Sequence, residues 1–273
     1  MRYRIRQQRK RQAAEKAMEL RETFNTSEEN YDRFRPGYPE ELFSDIFSYA
    51  GLKQGSSVIE IGTGTGQATL PFLQKGCKVT GIELGDRLSE YARQKFSAYE
   101  NFRIITGDFC DVELATDSCD LVFSATAFHW LPVEESLQKV KKILRPGGAL
   151  ALFWNHPFPN REDDPTNAAS RQVYDKYRPS PKKQIEFAEK DLAVWKDRLA
   201  DAGFDSVEAK LYRRKRTLTT EQYIGLLNTY SDHIALPEET KRLFEEEMRH
   251  AIDAAGGSIN IYDTIDLYMG KTV

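Results

Sequence analysis

From residue 57 onward, short apolar runs alternate with stretches that have the periodicity of amphipathic helices. The apolar runs predict five strands, at residues 57–61, 78–83, 102–106, 120–125 and 149–155. These runs lack the regular polar alternation of a half-exposed sheet. Helices that alternate with buried strands are typical of a parallel sheet covered on both faces. The pattern therefore predicts a doubly wound α/β fold.

The regular alternation stops near residue 156. Residues 156–185 contain five prolines and predict no clean strand. The rest of the chain predicts helices over 191–202, 221–229 and 238–255, and two long strands over 204–219 and 258–269. We therefore divide the chain into an N-terminal extension (1–29), an α/β core (30–155) and a third part (156–273). The third part supplies the last two strands and insertions of the kind that form binding surfaces.

Several helix ends carry recognisable signals. Asp86 follows the second strand and is predicted to be the N-cap of a helix over 86–99. A Pro-Gly-Gly sequence at 146–148 is expected to end a helix over 133–144. A shorter helix is expected to run from the glycine-rich turn after the first strand to about residue 75.

Composition narrows the class of protein. The 273 residues are 40% hydrophobic and 30% charged, which suits a globular chain and excludes an intrinsically disordered one. The three cysteines form no C-x-x-C spacing, so we expect neither a disulfide framework nor a zinc site, and we expect a reducing cytoplasmic location. The longest apolar run, 149–154, is far shorter than the ~20 residues of a membrane-spanning helix.

Positive charge is concentrated at the N-terminus. Residues 1–11 contain six basic residues and no acid, although the net charge of the chain is −3. No apolar core follows, so this stretch is not a signal peptide. It is either a tail for nucleic acid or an anionic surface, or a solvated helix over residues 3–24, which we favour. Because the chain is close to neutral, we do not expect nucleic acid as a partner.

The glycine-rich segment after the first strand carries the clearest chemical signal. Residues 58–69 read VIEIGTGTGQAT, in which Gly62, Gly64 and Gly66 separate a strand from a helix. Glycines allow the backbone to approach a ligand closely, and the following helix presents its N–H groups to that ligand. The segment therefore predicts a nucleotide-binding turn rather than a purely structural one.

Two residues near this turn indicate which nucleotide it binds. Gln67 stands where the nicotinamide fingerprint G-x-G-x-x-G/A requires a small residue. Glu60 lies two residues before the first glycine, where a carboxylate would repel a pyrophosphate but would accept a hydrogen bond from an ammonium or pair with a sulfonium. The predicted ligand is nucleotide-like and has no phosphates.

Two further acidic residues follow the second and third strands. Glu83 ends the second strand and can accept hydrogen bonds from both hydroxyls of a ribose, whereas Asp108 can accept from an adenine amino group while Phe109 lies along the ring. Taken singly, Glu83 and Asp108 read as solvated loop carboxylates. Together with Glu60 they lie at the carboxyl ends of three successive strands, and this edge of a doubly wound sheet binds ligands.

These segments resemble the class I S-adenosylmethionine-dependent methyltransferases, in particular the small-molecule group that includes trans-aconitate methyltransferase. The matching segments are YDRFRPGYP (31–39), VIEIGTGTG (58–66), GIEL (81–84), ITGDF (105–109), LVFSATAFHW (121–130) and LRPGGAL (144–150). The resemblance implies a seven-stranded sheet of order 3-2-1-4-5-7-6 with strand 7 antiparallel. It also implies that residues 31–39 form a lid over the cofactor.

The resemblance further implies a set of cofactor contacts. It assigns Glu60 to the methionine amino end, Glu83 to the ribose, and Asp108 with Phe109 to the adenine. The complete implied set is Arg35, Glu60, Gly62, Thr63, Gly64, Gly66, Glu83, Leu84, Asp108, Phe109, Ala125 and His129. S-adenosyl-L-methionine would be the co-substrate, and no metal is expected.

Three features have open roles. Arg35 either pairs with a carboxylate of the cofactor or substrate, which we favour, or braces the adjacent prolines at the surface. His129 is a candidate general base because an unperturbed pKa of ~6.5 suits that role, but we favour a structural or cofactor-contact role. The basic run KLYRRKR at 210–216 is either a nucleic-acid patch or, as we favour, a solvated strand end. His156, His233 and His250 show no metal-ligand spacing with one another.

The sequence thus predicts methyl transfer from S-adenosylmethionine to a small-molecule acceptor, with a carboxylate as one option, by in-line displacement. The alternatives are methylation of RNA or another macromolecule, a nicotinamide-dependent oxidoreductase, and a non-catalytic binding module that keeps the fold. We expect a monomer or homodimer without a membrane partner.

Overall fold

The computed structural model describes residues 28–180 and 184–273. The helix predicted over residues 3–24 lies outside the described residues, as does nearly all of the N-terminal extension.

A seven-stranded sheet of order β3-β2-β1-β4-β5-β7-β6 forms the centre of the fold. Its strands are β1 (Ser57–Ile61), β2 (Lys78–Glu83), β3 (Phe102–Thr106), β4 (Cys119–Ala125), β5 (Leu144–Phe158), β6 (Asp205–Thr219) and β7 (Ser258–Lys271). Strands β1 to β5 pair in parallel, whereas β7 is antiparallel to both of its neighbours, β5 and β6. The predicted fold class and strand order are confirmed.

Helices surround this sheet. They are α1 (Glu28–Phe34), α2 (Glu40–Ala50), α3 (Thr69–Gln74), α4 (Asp86–Lys95), α5 (Val133–Ile143), α6 (Pro165–Tyr177), α7 (Ala193–Asp201), α8 (Thr220–Leu227), α9 (Ser231–Ile234) and α10 (Glu238–Ala254). Short 3₁₀ turns occur at Phe128–Trp130 and Glu189–Leu192. Among the described residues, no helix combines the length and the hydrophobicity that crossing a membrane requires.

Adjacent residues of the central strands pack on opposite faces of the sheet. Val58 and Phe123 belong to one core with α2 and α3, while Ile59 and Val122 belong to a second core with α5 and α7. Because both faces are covered, the strands read in the sequence as continuous apolar runs. A third core joins α6, α8 and α10 to the first residues of β7.

Some predicted boundaries differ from the structure. Asp86 is the first residue of α4 and not its N-cap, because Gly85 occupies the cap position in extended conformation. The helix then ends at Lys95 rather than near residue 99. Strand β5 is longer than its apolar run: it starts at Leu144, which pairs with Cys119 of β4, and continues to Phe158, because pairing with β7 extends to that residue.

The proline-rich segment 156–185, for which the sequence predicts no clean strand, contains helix α6. Pro165 occupies its first turn, and Asp164 caps it by accepting a hydrogen bond from the Thr166 N–H at 2.8 Å. Asp164 also accepts from Tyr262 Oη at 2.6 Å, which ties the start of α6 to β7. The prolines mark helix boundaries here because proline is tolerated at the first helical positions.

Part of the basic run in β6 forms ion pairs with acidic residues of neighbouring elements. Arg214 and Arg216 both reach Asp263, which is fully buried on β7, at 3.0 and 2.5 Å. Lys210 pairs with Asp45 on α2 at 2.8 Å. The interpretation as a solvated strand end is therefore wrong for Arg214 and Arg216, which compensate a buried charge.

This buried carboxylate predicts a large effect on stability. Asp263→Ala should lower the free energy of unfolding by about 3 kcal/mol, because it leaves two guanidinium groups without their partner. Urea denaturation followed by circular dichroism would measure the change. Glu239→Ala, which removes an exposed partner of Arg242, is the control and should leave the midpoint unchanged. Equal effects of the two substitutions would contradict the assignment.

Candidate functional site

A cavity of about 260 Å³ lies at the carboxyl ends of β1, β2 and β4. A smaller cavity of about 60 Å³ adjoins it and reaches towards Glu60. We call the two together the cleft. Both parts are lined by Tyr31, Arg35, Gly62, Gly64, Ala125, Thr126 and Tyr230. The combined space is of the size that binds a small cofactor.

The glycine-rich turn shapes one wall of the cleft. Gly62 has φ +72°, and a Cβ added there would lie 2.4 Å from Cβ of Ala127. Gly66 has φ +83°, and a Cβ there would meet the ring of Phe96 at 2.2 Å. Backbone conformation and close packing both require glycine at these positions. Gly66 acts in packing, since it does not line the cleft, whereas Gly62 does.

Glu83 joins the glycine turn to the end of β2. Its Oε2 accepts the Gly64 N–H at 2.8 Å and its Oε1 accepts the Gly85 N–H at 2.9 Å. The side chain lines the larger cavity. A carboxylate offers about four lone-pair positions, so these two bonds leave it capable of accepting from a ligand hydroxyl.

Glu60 lies in a different environment from Glu83. It is buried beneath the turn, and the Thr69 hydroxyl donates to its Oε2 at 2.6 Å. Burial raises the pKa of Glu60 to about 8, and the charge of Glu83 acts in the same direction, against the lowering effect of Thr69. At neutral pH Glu60 is therefore protonated, and a cationic ligand group would favour its ionisation.

The two residues predicted to contact adenine separate in the structure. Phe109 is buried and lines the larger cavity. Asp108 does not line either part of the cleft, and its Oδ1 accepts the Cys110 N–H at 2.9 Å. The geometry therefore supports a contact for Phe109 and a turn-stabilising role for Asp108.

Arg35 is held between two aromatic rings. Its guanidinium lies 4.9 Å from the ring centre of Tyr31 and 4.5 Å from that of Tyr230, and its Nη2 donates to the Thr229 carbonyl at 2.5 Å. It lines both parts of the cleft. The alternative of a surface arginine that braces the neighbouring prolines is wrong, because Arg35 instead connects the 31–39 segment to the start of α9.

His129 is not arranged as a base. Trp154 Nε1 donates a hydrogen bond to its Nδ1 at 2.8 Å, so the neutral ring carries its proton on Nε2. Burial lowers the pKa of His129, and the nearby imidazole of His156 lowers it further. Since the residue lines the larger cavity, it offers an N–H donor there, which supports the contact role.

The remaining predicted contacts also surround the cleft. Leu84 and Ala125 line the larger cavity, and Thr63 lines the smaller one. The lining residues that sequence reasoning missed include Thr126, which has φ +54° and bonds to the Tyr38 hydroxyl at 2.7 Å, and Tyr230 and Asp232 from the start of α9. No local signal marks Tyr230, because only the tertiary fold brings α9 to this edge of the sheet.

A third cavity, of about 820 Å³, opens beside the cleft, and we call it the acceptor cavity. It shares Asn155, Pro157, Tyr230 and Asp232 with the cleft. Its apolar walls are formed by Phe158, Ile185, Phe187, Val194, Trp195, Leu226, Leu227 and Ile261. A molecule bound there would therefore lie next to one bound in the cleft.

Comparison with known proteins agrees with this geometry. A methyltransferase domain family matches residues 59–152. A methyltransferase-like protein of Schizosaccharomyces pombe is 27% identical over 228 residues, which cover 83% of this chain and 84% of that protein. A protein of Geobacillus kaustophilus named as a methyltransferase is 32% identical over 153 residues, which cover 53% of this chain and 70% of that protein.

A solved structure shows the same fold. Haemonchus contortus phosphoethanolamine N-methyltransferase 2, in complex with phosphomonomethylethanolamine and S-adenosylhomocysteine, superposes with a TM-score of 0.54. The sequences are 15% identical, and the match covers 91% of this chain and 57% of that one.

The raised pKa of Glu60 predicts a pH-dependent stability difference. Between pH 4.5, the usual pKa, and about 8, the unfolded chain releases the Glu60 proton while the folded chain retains it. Wild-type stability should therefore fall relative to Glu60→Gln as pH rises through this range, by roughly 1 kcal/mol per pH unit. Urea denaturation at pH 5, 6.5 and 8 would measure this. Glu113→Gln, at an exposed position, is the control, and its free energy of unfolding should depend on pH as that of the wild type does. A wild-type pH dependence in Glu60→Gln would contradict the raised pKa.

Proposed function

The chain belongs to the S-adenosylmethionine-dependent methyltransferases, and on that premise we propose that it methylates a small molecule bound in the acceptor cavity. The observation that carries this proposal is the open cavity beside the cleft: it holds about 820 Å³ and shares four lining residues with the cofactor side. A volume of this size suits a small organic acceptor. The finer resemblance, to the trans-aconitate methyltransferase group, is part of the proposal.

The residues of the cleft fit the cofactor. Two acids face it: the buried carboxyl of Glu60 suits the methionine ammonium, and the oriented carboxylate of Glu83 suits the ribose hydroxyls. Thr63 places a buried hydroxyl at the turn, and its Oγ1 has no hydrogen-bond partner among the described residues. Gln67, which stands where the nicotinamide fingerprint requires a small residue, disfavours the nicotinamide alternative. Within residues 28–180 and 184–273, no group of three or more His, Cys, Asp or Glu side chains could hold a metal ion.

The chemistry of such a site is mainly positional. S-adenosylmethionine supplies an electrophilic methyl group on a sulfonium when it is bound. The chain must align an acceptor atom with that methyl group and exclude water, and these two effects provide much of the acceleration of a displacement reaction. Tyr31 lies over the glycine turn, 3.6 Å from the position of a Cβ at Gly64. The 31–39 segment and Tyr230 therefore close the cofactor side, while the acceptor cavity orients the nucleophile.

The ribose assignment of Glu83 predicts a loss of cofactor affinity. Glu83→Ala should weaken the binding of S-adenosylhomocysteine by about 1–3 kcal/mol, since it removes charge-assisted hydrogen bonds and loosens the glycine turn. Isothermal titration calorimetry would measure the affinity. Asp108→Ala serves as the comparison and should cost less, because Asp108 does not line the cleft. Wild-type affinity in Glu83→Ala would refute the assignment.

The position of Arg35 predicts that its substitution changes both the affinity for S-adenosylhomocysteine and the protection of residues 30–42 from hydrogen exchange. Binding of S-adenosylhomocysteine should slow hydrogen exchange across residues 30–42, and Arg35→Ala should reduce both this protection and the affinity by about tenfold, the loss expected when a charge-assisted bond is removed. Arg35→Lys should recover only part, because an ammonium cannot reproduce a two-pronged contact. Arg33→Ala, at an exposed position near the end of α1, two residues before Arg35, is the control.

A different result would assign Arg35 to binding of the acceptor instead of the cofactor. If Arg35→Ala retains cofactor affinity but raises the KM for the acceptor, the guanidinium binds the acceptor. Exchange that does not respond to S-adenosylhomocysteine would show that the 31–39 segment is not a lid.

A further inference from the structure

The acceptor cavity contains a histidine–aspartate pair that the function described so far does not use. His156 lies near the end of β5 and lines this cavity. Its Nε2 is 3.1 Å from Oδ2 of Asp266 on the adjacent strand β7. The His156 side chain is 34% exposed and that of Asp266 only 2%. The imidazole therefore reaches the cavity, while the carboxylate is enclosed behind it.

The neighbours of both side chains fix their positions. Asp266 Oδ1 accepts the Trp154 N–H at 2.9 Å, and Oδ2 accepts the Tyr268 hydroxyl at 2.9 Å. The ring of Phe187 stacks on the imidazole of His156, with centroids 4.0 Å apart and planes within 8°. Nε2 of His156 has no hydrogen-bond partner among the described residues, but the negative charge of Asp266, 3.1 Å away, favours the ring proton on this nearer nitrogen. Nδ1 of His156 is then the basic nitrogen.

We propose that His156 is the general base that removes a proton from a hydroxyl group of the acceptor, and that Asp266 is the residue that positions it. This inference rests on the proposed function. A carboxylate acceptor is already ionised at neutral pH and needs no base, whereas a phenolic hydroxyl, with an unperturbed pKa of about 10, must lose its proton. The pair therefore favours a phenol or an enol over a carboxylate.

The charges of the acceptor cavity support the same choice. Arg178 pairs with Asp232, and Glu186 pairs with Arg161 at 2.6 Å. The other charged side chains that line the cavity are Lys190 and Asp191, which have opposite signs. Tyr174, Tyr223 and Tyr230 also line the cavity, and His129 and Tyr268 lie near His156 and Asp266. Among the described residues that line the cavity, positive and negative side chains are therefore nearly balanced.

The walls of the cavity suit a flat apolar molecule. Phe158, Phe187 and Trp195 provide aromatic surface along it, and aromatic rings pack well in stacked or edge-on arrangements. Ile185 and Val194 are 74% and 62% exposed although both are large and apolar. Since both line this cavity, a bound aromatic molecule would cover them. The acceptor class is therefore a phenol or enol on an apolar ring system.

The proposed step balances without a further reagent. The acceptor O–H bond breaks and its proton passes to Nδ1 of His156, which becomes an imidazolium beside Asp266. The oxygen forms a bond to the methyl group as the methyl–sulfur bond breaks, and the electron pair of that bond stays on the neutral thioether. The imidazolium then returns its proton to water.

The first test measures His156 directly, without turnover. In ¹⁵N-edited NMR of the full chain bound to S-adenosylhomocysteine, the nitrogen shifts of His156 should report its proton on Nε2, and Asp266→Asn should reduce the population of this tautomer because it removes the adjacent negative charge. His250, which is exposed, is the internal control. Addition of a 4-alkylphenol should shift the His156 nitrogen resonances. A proton on Nδ1, or no response to any phenol of the series, would overturn the proposal.

The second test measures methyl transfer to matched acceptors. With S-adenosylmethionine, 4-alkylphenols should be methylated and 4-alkylbenzoates of the same size should not. His156→Gln should lower kcat on the phenols by about 10²-fold or more, with S-adenosylhomocysteine affinity within twofold of wild type, and His250→Gln should have no effect. Asp266→Asn should lower kcat on the phenols while the KM for the phenol stays within a few-fold of wild type, because Asp266 positions His156 and does not contact the acceptor.

The outcomes separate this inference from the proposed function. If the wild type fails to bind S-adenosylhomocysteine, the proposed function fails. If it binds the cofactor but methylates only benzoates, or if His156→Gln keeps kcat within a few-fold of wild type, the general base is refuted and methyl transfer stands.

Discussion

The antiparallel pairing of β7 between β5 and β6 is the constraint on which both sides of the site depend. In a parallel sheet, only the carboxyl ends of strands reach the binding edge. Because β7 runs in the opposite direction, its first half lies at that edge, where Asn155 and His156 pair with Ile265 and Thr264. Two buried acids, Asp263 and Asp266, therefore reach the region between the cofactor and acceptor sides.

Burial of these acids determines what surrounds them. A buried carboxylate is costly unless charged or hydrogen-bonding groups compensate it. Two arginines of β6 compensate Asp263, whereas a backbone N–H, the Tyr268 hydroxyl and His156 compensate Asp266. The arginines around Asp263 leave no access for a ligand, so this ion pair is structural. His156 beside Asp266 lies on the surface of a cavity, where it can accept a proton from a ligand.

On the cofactor side, too, the surroundings of two carboxyl groups determine what each can bind. Glu83 accepts two backbone N–H groups at the turn, while Glu60 is buried with a single hydroxyl donor. Burial and the neighbouring negative charge raise the pKa of Glu60 to about 8. Glu83 can therefore accept hydrogen bonds from hydroxyl groups of a ligand. Glu60 is protonated at neutral pH, and a cationic ligand group would favour its ionisation.

The sequence by itself determined the parallel part of the sheet and the glycine turn. The predicted bounds of β1, β2 and β3 agree with the structure. For β1 and β2 the reason is that a strand buried on both faces is a local apolar run, whereas β3 is a partly exposed edge strand. The strict requirement for glycine at Gly62 is likewise a local property, since it follows from backbone conformation at one position.

Only the tertiary structure decided the acceptor side. No sequence motif marks His156, and its partner Asp266 is 110 positions away. No motif marks Tyr230 either, although it contacts Arg35 from the start of α9. Asp108 matched the motif, yet the turn after β3 directs its carboxylate to the Cys110 N–H instead of the cleft. Periodicity and motifs report conformation over a few residues, whereas a pair across antiparallel strands depends on long-range register, which the whole packed sheet determines.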